Sequence, residues 1–139
     1  MTLVLSDRLV AGVVIPDSKL ARAVTELVRD TEPPLLFHHS SRVYYWGALT
    51  GKRRRLRFDP ELLYAGAMFH DMGLTPKHAS AHERFEVDSA NAARDFLRSH
   101  GIAEREIETV WTAIALLRLL LQPFLTGVLD LPDLADDKA

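Results

Sequence analysis

The chain has 139 residues, of which 47% are apolar, and this is enough for one domain with a buried hydrophobic core. Its 17 basic and 19 acidic side chains give a net charge of −2, so no overall positive field would attract nucleic acid or an anionic membrane. The chain contains no cysteine, which excludes disulfides and thiolate metal sites and leaves His, Asp and Glu as the strong metal ligands. We therefore expect a single domain over residues 1–139, a cytoplasmic location and no nucleic-acid partner.

The first 30 residues predict a short N-terminal segment followed by a helix. Residues 1–16 are apolar, but they lack a basic start and are interrupted by Asp7 and Arg8, so we do not interpret them as a signal peptide. The sequence "PDSKLARAVTELVRD" then offers Asp17 or Ser18 as a helix cap. Its apolar residues recur at helical spacing, at Leu20, Val24, Leu27 and Val28.

Proline and acidic residues mark the starts of the next two helices. The second helix is predicted to begin at the Pro33–Pro34 pair and to run to Gly51. A basic loop follows, and the third helix is predicted from near Pro60 to near Asp71. It is preceded by Asp59 as a cap and carries Glu61 in its first turn, where the helix dipole favours an acid.

Residues 72–82 contain Gly73 and Pro76 but no apolar stripe, which predicts a loop. The sequence "ERFEVDSANAARDFLRSHG" predicts a fourth helix that stops at Gly101. A fifth helix is predicted to start near Ala103, with an inward face of Val110, Trp111, Ile114 and Leu117. No stretch alternates apolar and polar residues for long enough to form a sheet, so the predicted class is all-α.

Residues 110–129 form an apolar run as long as a membrane span. Arg118 lies near its middle and Pro123 breaks it, so we interpret it as a buried or partner-covered helix and expect no membrane contact. An apolar surface of that size needs cover, which predicts a homo-oligomer formed through residues 110–129.

Two histidines lie side by side on the second helix. His39 shares a face with Val43, and with Leu35 and Trp46 about a turn away on either side, whereas His38 points about 100° away. We therefore predict that His39 faces the core. The alternative for His39 alone is a core histidine satisfied by a hydrogen bond.

The third helix is almost wholly apolar and delivers His70 and Asp71 at its end. Burying an ionised aspartate without a cation costs several kcal/mol, so Asp71 needs a positive partner. A divalent metal ion would supply that charge.

These residues form a pattern that resembles a known superfamily. "HSSRV" from His39, together with "HD" at residues 70–71 followed by "MGL", resembles the HD superfamily of metal-dependent phosphohydrolases. Longer stretches between residues 11 and 116 look like the branch related to cyanamide hydratase, which adds water to a nitrile carbon. The resemblance implies an HD-domain-like bundle of about five to six helices. It also implies one divalent ion (Zn²⁺, Fe²⁺ or Mn²⁺) held by His39, His70 and Asp71.

The C-terminal segment departs from that pattern. Leu117 stands where the branch has a histidine, and residues 117–139 do not resemble the family, which suggests a truncated or altered C-terminus. The distal aspartate ligand of the family has no matching position here. We interpret the aspartates near the end of the chain as a solvated tail; they are Asp130, Asp133, Asp136 and Asp137.

Three ligands with open positions predict an enzyme that activates water for hydration or hydrolysis of a small molecule. Asp71 would be catalytic as well as a ligand. Arg42, three residues after His39, would orient an anion, or alternatively pair with Asp71 or Asp88. Asp88 is expected to order the site, the alternative being a plain helix N-terminal acid.

Three functions stay open at this point. A neutral nitrile would suit an aromatic surround, unless those rings are core packing; they are Tyr44, Tyr45, Trp46, Phe69 and Phe85. A nucleotide or other phosphate ester would suit Arg42 and the basic run at residues 52–57, unless that run is a solvated loop. The third function is a catalytically impaired HD-fold module that self-associates through its C-terminal helix.

Overall fold

Five α-helices make up most of the computed structural model, which describes residues 9–10 and 12–116. They are α1 (Lys19–Thr31), α2 (Pro34–Arg53), α3 (Pro60–Phe69), α4 (Phe85–Ser99) and α5 (Glu104–Ala115). A 3-10 helix, Met72–Leu74, follows α3. Ahead of α1, the two-residue strands β1 (Leu9–Val10) and β2 (Val13–Val14) pair in antiparallel fashion. The all-α class is confirmed, and its helix boundaries lie close to those predicted.

The helix ends are fixed by local hydrogen bonds. Ser18 accepts a bond from the Ala21 amide at 3.1 Å and caps α1, and Asp59 accepts one from the Glu61 amide at 2.9 Å at the start of α3. Gly101 has a φ of +76°, and beyond it the Ile102 amide donates to the Leu97 carbonyl at 3.1 Å. That pattern is the Schellman motif, which needs glycine at the left-handed position and ends α4 where predicted.

Helix α3 is the centre of the fold. It packs against the other four α-helices, α1, α2, α4 and α5. Its buried side chains fill the space between them, and they are Tyr64, Ala65, Ala67, Met68 and Phe69. The prediction that this apolar helix is buried is confirmed, and its C-terminal end therefore lies inside the protein.

Three features differ from the sequence-based expectations. The two strands and the 3-10 helix at Met72–Leu74 were not predicted. The strands have two residues each, too few to show alternation of apolar and polar residues, and the 3-10 helix is too short to show an apolar stripe. Leu35 is 80% exposed, so the prediction that it lies on the inward stripe of α2 is wrong. The buried face of α2 instead runs through Ser40, Tyr44 and Ala48, four residues apart. Because Ser40 is polar, the spacing of the apolar residues predicted the wrong buried face for this helix.

Gly73 allows the 3-10 helix to pack directly on the start of α4. A Cβ atom added at this position would lie 2.2 Å from the Phe85 carbonyl oxygen and 2.9 Å from the Ser89 amide nitrogen. The Gly73 amide also donates a hydrogen bond to the Ser89 hydroxyl at 2.7 Å. Glycine is needed here for the close approach of two backbones.

No helix in the described part of the chain is long and apolar enough to cross a membrane. Most of the apolar run at residues 110–129, including Leu117, lies outside the described residues. Val110 and Ile114, at its start, are buried within the domain itself. Self-association through this run, and a cytoplasmic location, stay predictions.

We expect Gly73→Ala to lower the free energy of unfolding by about 2–3 kcal/mol or more, because the new methyl group meets rigid backbone atoms. Gly66→Ala is the matched control, since the nearest atom to its added Cβ is the Val110 Cγ1 at 3.9 Å. That change in the middle of α3 should stabilise by about 0.5–1 kcal/mol. Urea unfolding of both variants measures the difference, and equal effects would contradict the tight contact at Gly73.

Candidate metal centre

The end of α3 carries an adjacent histidine and aspartate into the protein interior. His70 is the C-terminal cap residue of α3, and Asp71 follows with a φ of −111° and a ψ of 8°. His70 is only 5% exposed, and Asp71 is only 8% exposed. Because α3 is enclosed by the other helices, ending it at this point places both polar side chains under cover.

Helix α2 adds a third polar group beside this pair. The His39 Nε2 lies 3.6 Å from the Asp71 Oδ2, and the His70 Nε2 lies 3.2 Å from the same oxygen. The two imidazole rings are 5.6 Å apart between centroids. One ligand atom from each of the three residues lies within 4.8 Å of the others. His38 is exposed, so of the two adjacent histidines it is His39 that reaches the interior.

The His39 side chain is the most accessible part of the cluster. It is 29% exposed, compared with 6% for His70 and 11% for Asp71. A small molecule would therefore reach the cluster from the His39 side.

The backbone fixes the tautomer of His70. Its Nδ1 lies 2.5 Å from the Ala67 carbonyl oxygen, and because a carbonyl can only accept, the Nδ1 carries the hydrogen. The Nε2 then faces Asp71. A histidine that donates its other ring N–H to a backbone carbonyl is the usual arrangement of a metal-bound imidazole, since it sets the ring orientation.

The charges of His70 and Asp71 support each other. Burial favours the neutral imidazole, but the hydrogen bond and negative charge of Asp71 outweigh it and raise the pKa of His70. Burial likewise favours the neutral carboxyl, but the His70 hydrogen bond and the charges of His70 and His39 lower the pKa of Asp71. The protonated form of His70 and the ionised form of Asp71 thus stabilise each other.

The three side chains fit a divalent metal ion. Two imidazole nitrogens and one carboxylate oxygen are ligands for Zn²⁺ and other transition metals, and they do not discriminate among these ions. Ligands about 2.1 Å from a tetrahedral ion are about 3.4 Å from each other. The observed separations of 3.2 Å and 3.6 Å lie on either side of that value. These two separations therefore need little change for the carboxylate and the imidazoles to bind one metal ion.

Glu32 is a fourth ionisable group near the cluster, and the sequence-based reasoning missed it. Glu32 is the C-terminal cap residue of α1 and is 4% exposed. Its Oε1 accepts a hydrogen bond from the Ser40 hydroxyl at 3.4 Å, whereas its Oε2 has no partner among the described residues. Burial and the negative charge of Asp71 raise the pKa of Glu32 to about 7. One sequence signal was available, because an acid at the C-terminal end of a helix opposes the dipole.

Arg42 and Asp88 lie outside the three-residue cluster. Arg42 is exposed on α2. Asp88 is buried and accepts two hydrogen bonds from Ser80, one from its amide and one from its hydroxyl, each at 2.8 Å. Asp71 lies beside the two imidazoles and Asp88 bonds to Ser80, and among the described residues no pairing of Arg42 with either aspartate is observed. Asp88 holds the loop between the 3-10 helix and α4 against the start of α4.

The candidate aspartates of the C-terminal segment fall outside the described residues. They are Asp130, Asp133, Asp136 and Asp137. In the part of the chain that the structure covers, the only cluster of three or more potential metal ligands is that of His39, His70 and Asp71.

Comparison with protein families gives a match to the HD domain over residues 36–128. The matched segment is more than half of the chain and contains His39, His70 and Asp71. It also extends into residues 117–128, which the resemblance seen in the sequence had left out. Comparison with curated proteins finds no match. The match and the helical fold around the His-Asp pair agree, and the chain belongs to the HD domain family.

Proposed function

We propose that the chain is a metal-dependent hydrolase or hydratase that binds one divalent ion through His39, His70 and Asp71. HD domains are generally metal-dependent hydrolases. The observation that supports the proposal most directly is the convergence of two imidazoles on one buried carboxylate, at separations that suit a tetrahedral ion.

Each of the three side chains has a distinct part in the proposed reaction. A bound divalent ion would lower the pKa of a coordinated water and so supply a nucleophile near neutral pH. His70, held by the Ala67 carbonyl, presents its Nε2 in a fixed direction. Asp71 contributes a negative charge that attracts the divalent ion, and His39 forms the accessible side at which substrate enters.

The substrate class is the finer part of the proposal. Tyr44 and Phe69, two of the five aromatic residues expected around a neutral nitrile, are 1% and 0% exposed and pack in the core. Tyr44 in addition donates a hydrogen bond to the Val14 carbonyl at 3.0 Å. Their burial supports the core-packing alternative for these two rings and weakens the argument for a nitrile.

A phosphate ester is the second candidate substrate. Arg42 is exposed on the same helix as His39, which favours an anionic substrate, since a guanidinium binds phosphate oxygens in bidentate fashion. The basic run at residues 52–57 is exposed beyond the end of the buried face of α2, as expected for a solvated loop.

We expect the purified wild-type protein to contain one divalent ion per chain, and His39→Ala and His70→Ala to lose it. Each substitution removes one of three ligands, whereas His38→Ala, the adjacent exposed histidine, should retain the ion. Elemental analysis after gel filtration measures the stoichiometry. A folded wild-type chain that contains no metal and takes up none from excess Zn²⁺, Fe²⁺ or Mn²⁺ would refute the proposal.

Metal affinity is expected to decrease as the pH falls. Because the pKa of His70 is raised, a proton competes with the ion for this side chain below that pKa. The metal affinity then falls about tenfold for each pH unit of acidification and for each proton that the ion must displace. Isothermal titration with Zn²⁺ between pH 5.5 and pH 8 tests this. An affinity that does not change over this range would show that the ion binds away from His70.

Arg42→Ala separates the two substrate classes. If the substrate is a phosphate ester, loss of a charge-assisted contact should raise the KM for a nucleoside monophosphate about tenfold to a hundredfold. Hydration of cyanamide to urea, with a neutral substrate, should be unchanged in the same variant. Arg53→Ala, at the exposed end of α2, is the control. An equal loss with both substrates would indicate a role for Arg42 other than binding an anion.

A further inference from the structure

We propose that Glu32 is the second carboxylate of the metal centre, an ionised group whose negative charge is balanced by the bound divalent cation. The proposal rests on the metal-dependent function proposed above. Glu32 lies outside the segment that matches the HD domain, which begins at residue 36.

The first observation is that one oxygen of the buried Glu32 carboxyl group has no hydrogen-bond partner among the described residues. The residue is 4% exposed, yet its Oε2 has no hydrogen-bond partner in the described part of the chain. Its other oxygen accepts one long bond, 3.4 Å, from the Ser40 hydroxyl. A buried carboxylate with one weak hydrogen bond is costly, so an ionised Glu32 requires more positive charge nearby than a hydrogen bond to Ser40 supplies.

The second observation is the position of Glu32 at the end of α1. The following residue is Pro33, which disfavours helical geometry at the residue before it, and Glu32 accordingly adopts φ −90° and ψ 146°. Its amide donates to the Val28 carbonyl and closes the helix. The carboxyl group thus lies at the negative end of the α1 dipole, which adds to its need for a positive partner.

The third observation is the proximity of Glu32 to the cluster. The charges of both Asp71 and His70 act on its carboxyl group, and Glu32 acts in turn on His70. Its hydrogen-bond partner Ser40 directly follows His39 on α2 and is fully buried. A divalent ion at the cluster would therefore supply the missing positive charge.

The charge of the cluster leads to the same assignment. Asp71 alone offers one negative charge to a divalent ion, because the histidine ligands are neutral when they bind metal. Glu32 supplies a second negative charge and makes the centre neutral. Metal binding would then be accompanied by ionisation of Glu32, whose pKa of about 7 leaves much of it protonated near neutral pH in the metal-free chain.

Glu32→Gln tests the assignment because it removes the charge and keeps the shape of the side chain. We expect the dissociation constant for Zn²⁺ to rise about 10- to 100-fold at pH 8. The melting temperature of the metal-free variant should instead increase by about 2–4 °C at this pH, since the wild type carries an unpaired buried charge there. A purely structural role for Glu32 predicts the opposite, a less stable metal-free variant.

Glu26→Gln is the matched control, since Glu26 is exposed on the same helix and undergoes the same change of charge. It should change neither the Zn²⁺ affinity nor the melting temperature. Carboxyl ¹³C NMR of the wild type gives a second measurement that does not depend on how the variants fold. At pH 6, addition of Zn²⁺ should shift the Glu32 resonance from its protonated to its ionised position.

The outcomes separate the two proposals. If the wild type binds Zn²⁺ through His39 and His70 but Glu32→Gln binds it equally well, the assignment of Glu32 is wrong and the metal-dependent function stands. A Glu32 resonance that Zn²⁺ leaves unchanged would refute the assignment in the same way. If the wild type binds no divalent ion, both proposals fail.

Discussion

The buried carboxylate of Asp71 is the constraint on which the site depends. A negative charge that is 8% exposed needs a positive partner, and the imidazoles of His39 and His70 lie beside it. His70 is held by the Ala67 carbonyl, and His39 is presented by α2. A proton and a divalent ion would thus compete for the position between the imidazoles and the carboxylate. The neighbouring charges of the protein influence which of the two binds there.

The packing around α3 determines where this carboxylate lies. Helix α3 is enclosed by four helices and stops at Phe69, so the next two side chains remain in the interior. The chain then turns in the 3-10 helix, whose Gly73 lies directly against the backbone of Phe85 and Ser89. Any bulk at that contact would displace the segment that follows Asp71. The position of the candidate metal ligands is therefore maintained by a backbone contact that is not itself part of the site.

The sequence predicted most of the helices and three of the four ionisable groups near the site. Asp59 and Gly101 are local signals whose effect does not depend on tertiary packing, so they gave correct helix ends. The adjacent His70 and Asp71 were detectable because a charged pair after an apolar helix is unusual. Glu32 was missed because its burial depends on how α1 and α2 meet at Pro33. The exposure of Leu35 was missed because the buried face of α2 begins with the polar Ser40.

The protonation of the metal-free site explains why a divalent ion would suit it. In the metal-free chain Asp71 raises the pKa of His70, and burial and Asp71 raise the pKa of Glu32 to about 7, so each group favours its protonated form, whereas the pKa of Asp71 is lowered. Replacing both protons with one divalent ion leaves the net charge of the interior unchanged. A monovalent ion would leave one carboxylate charge uncompensated, and a trivalent ion would add a positive charge in a region of low polarity. When Glu32 is counted as part of the site, its ionisable groups therefore favour an ion with a charge of +2.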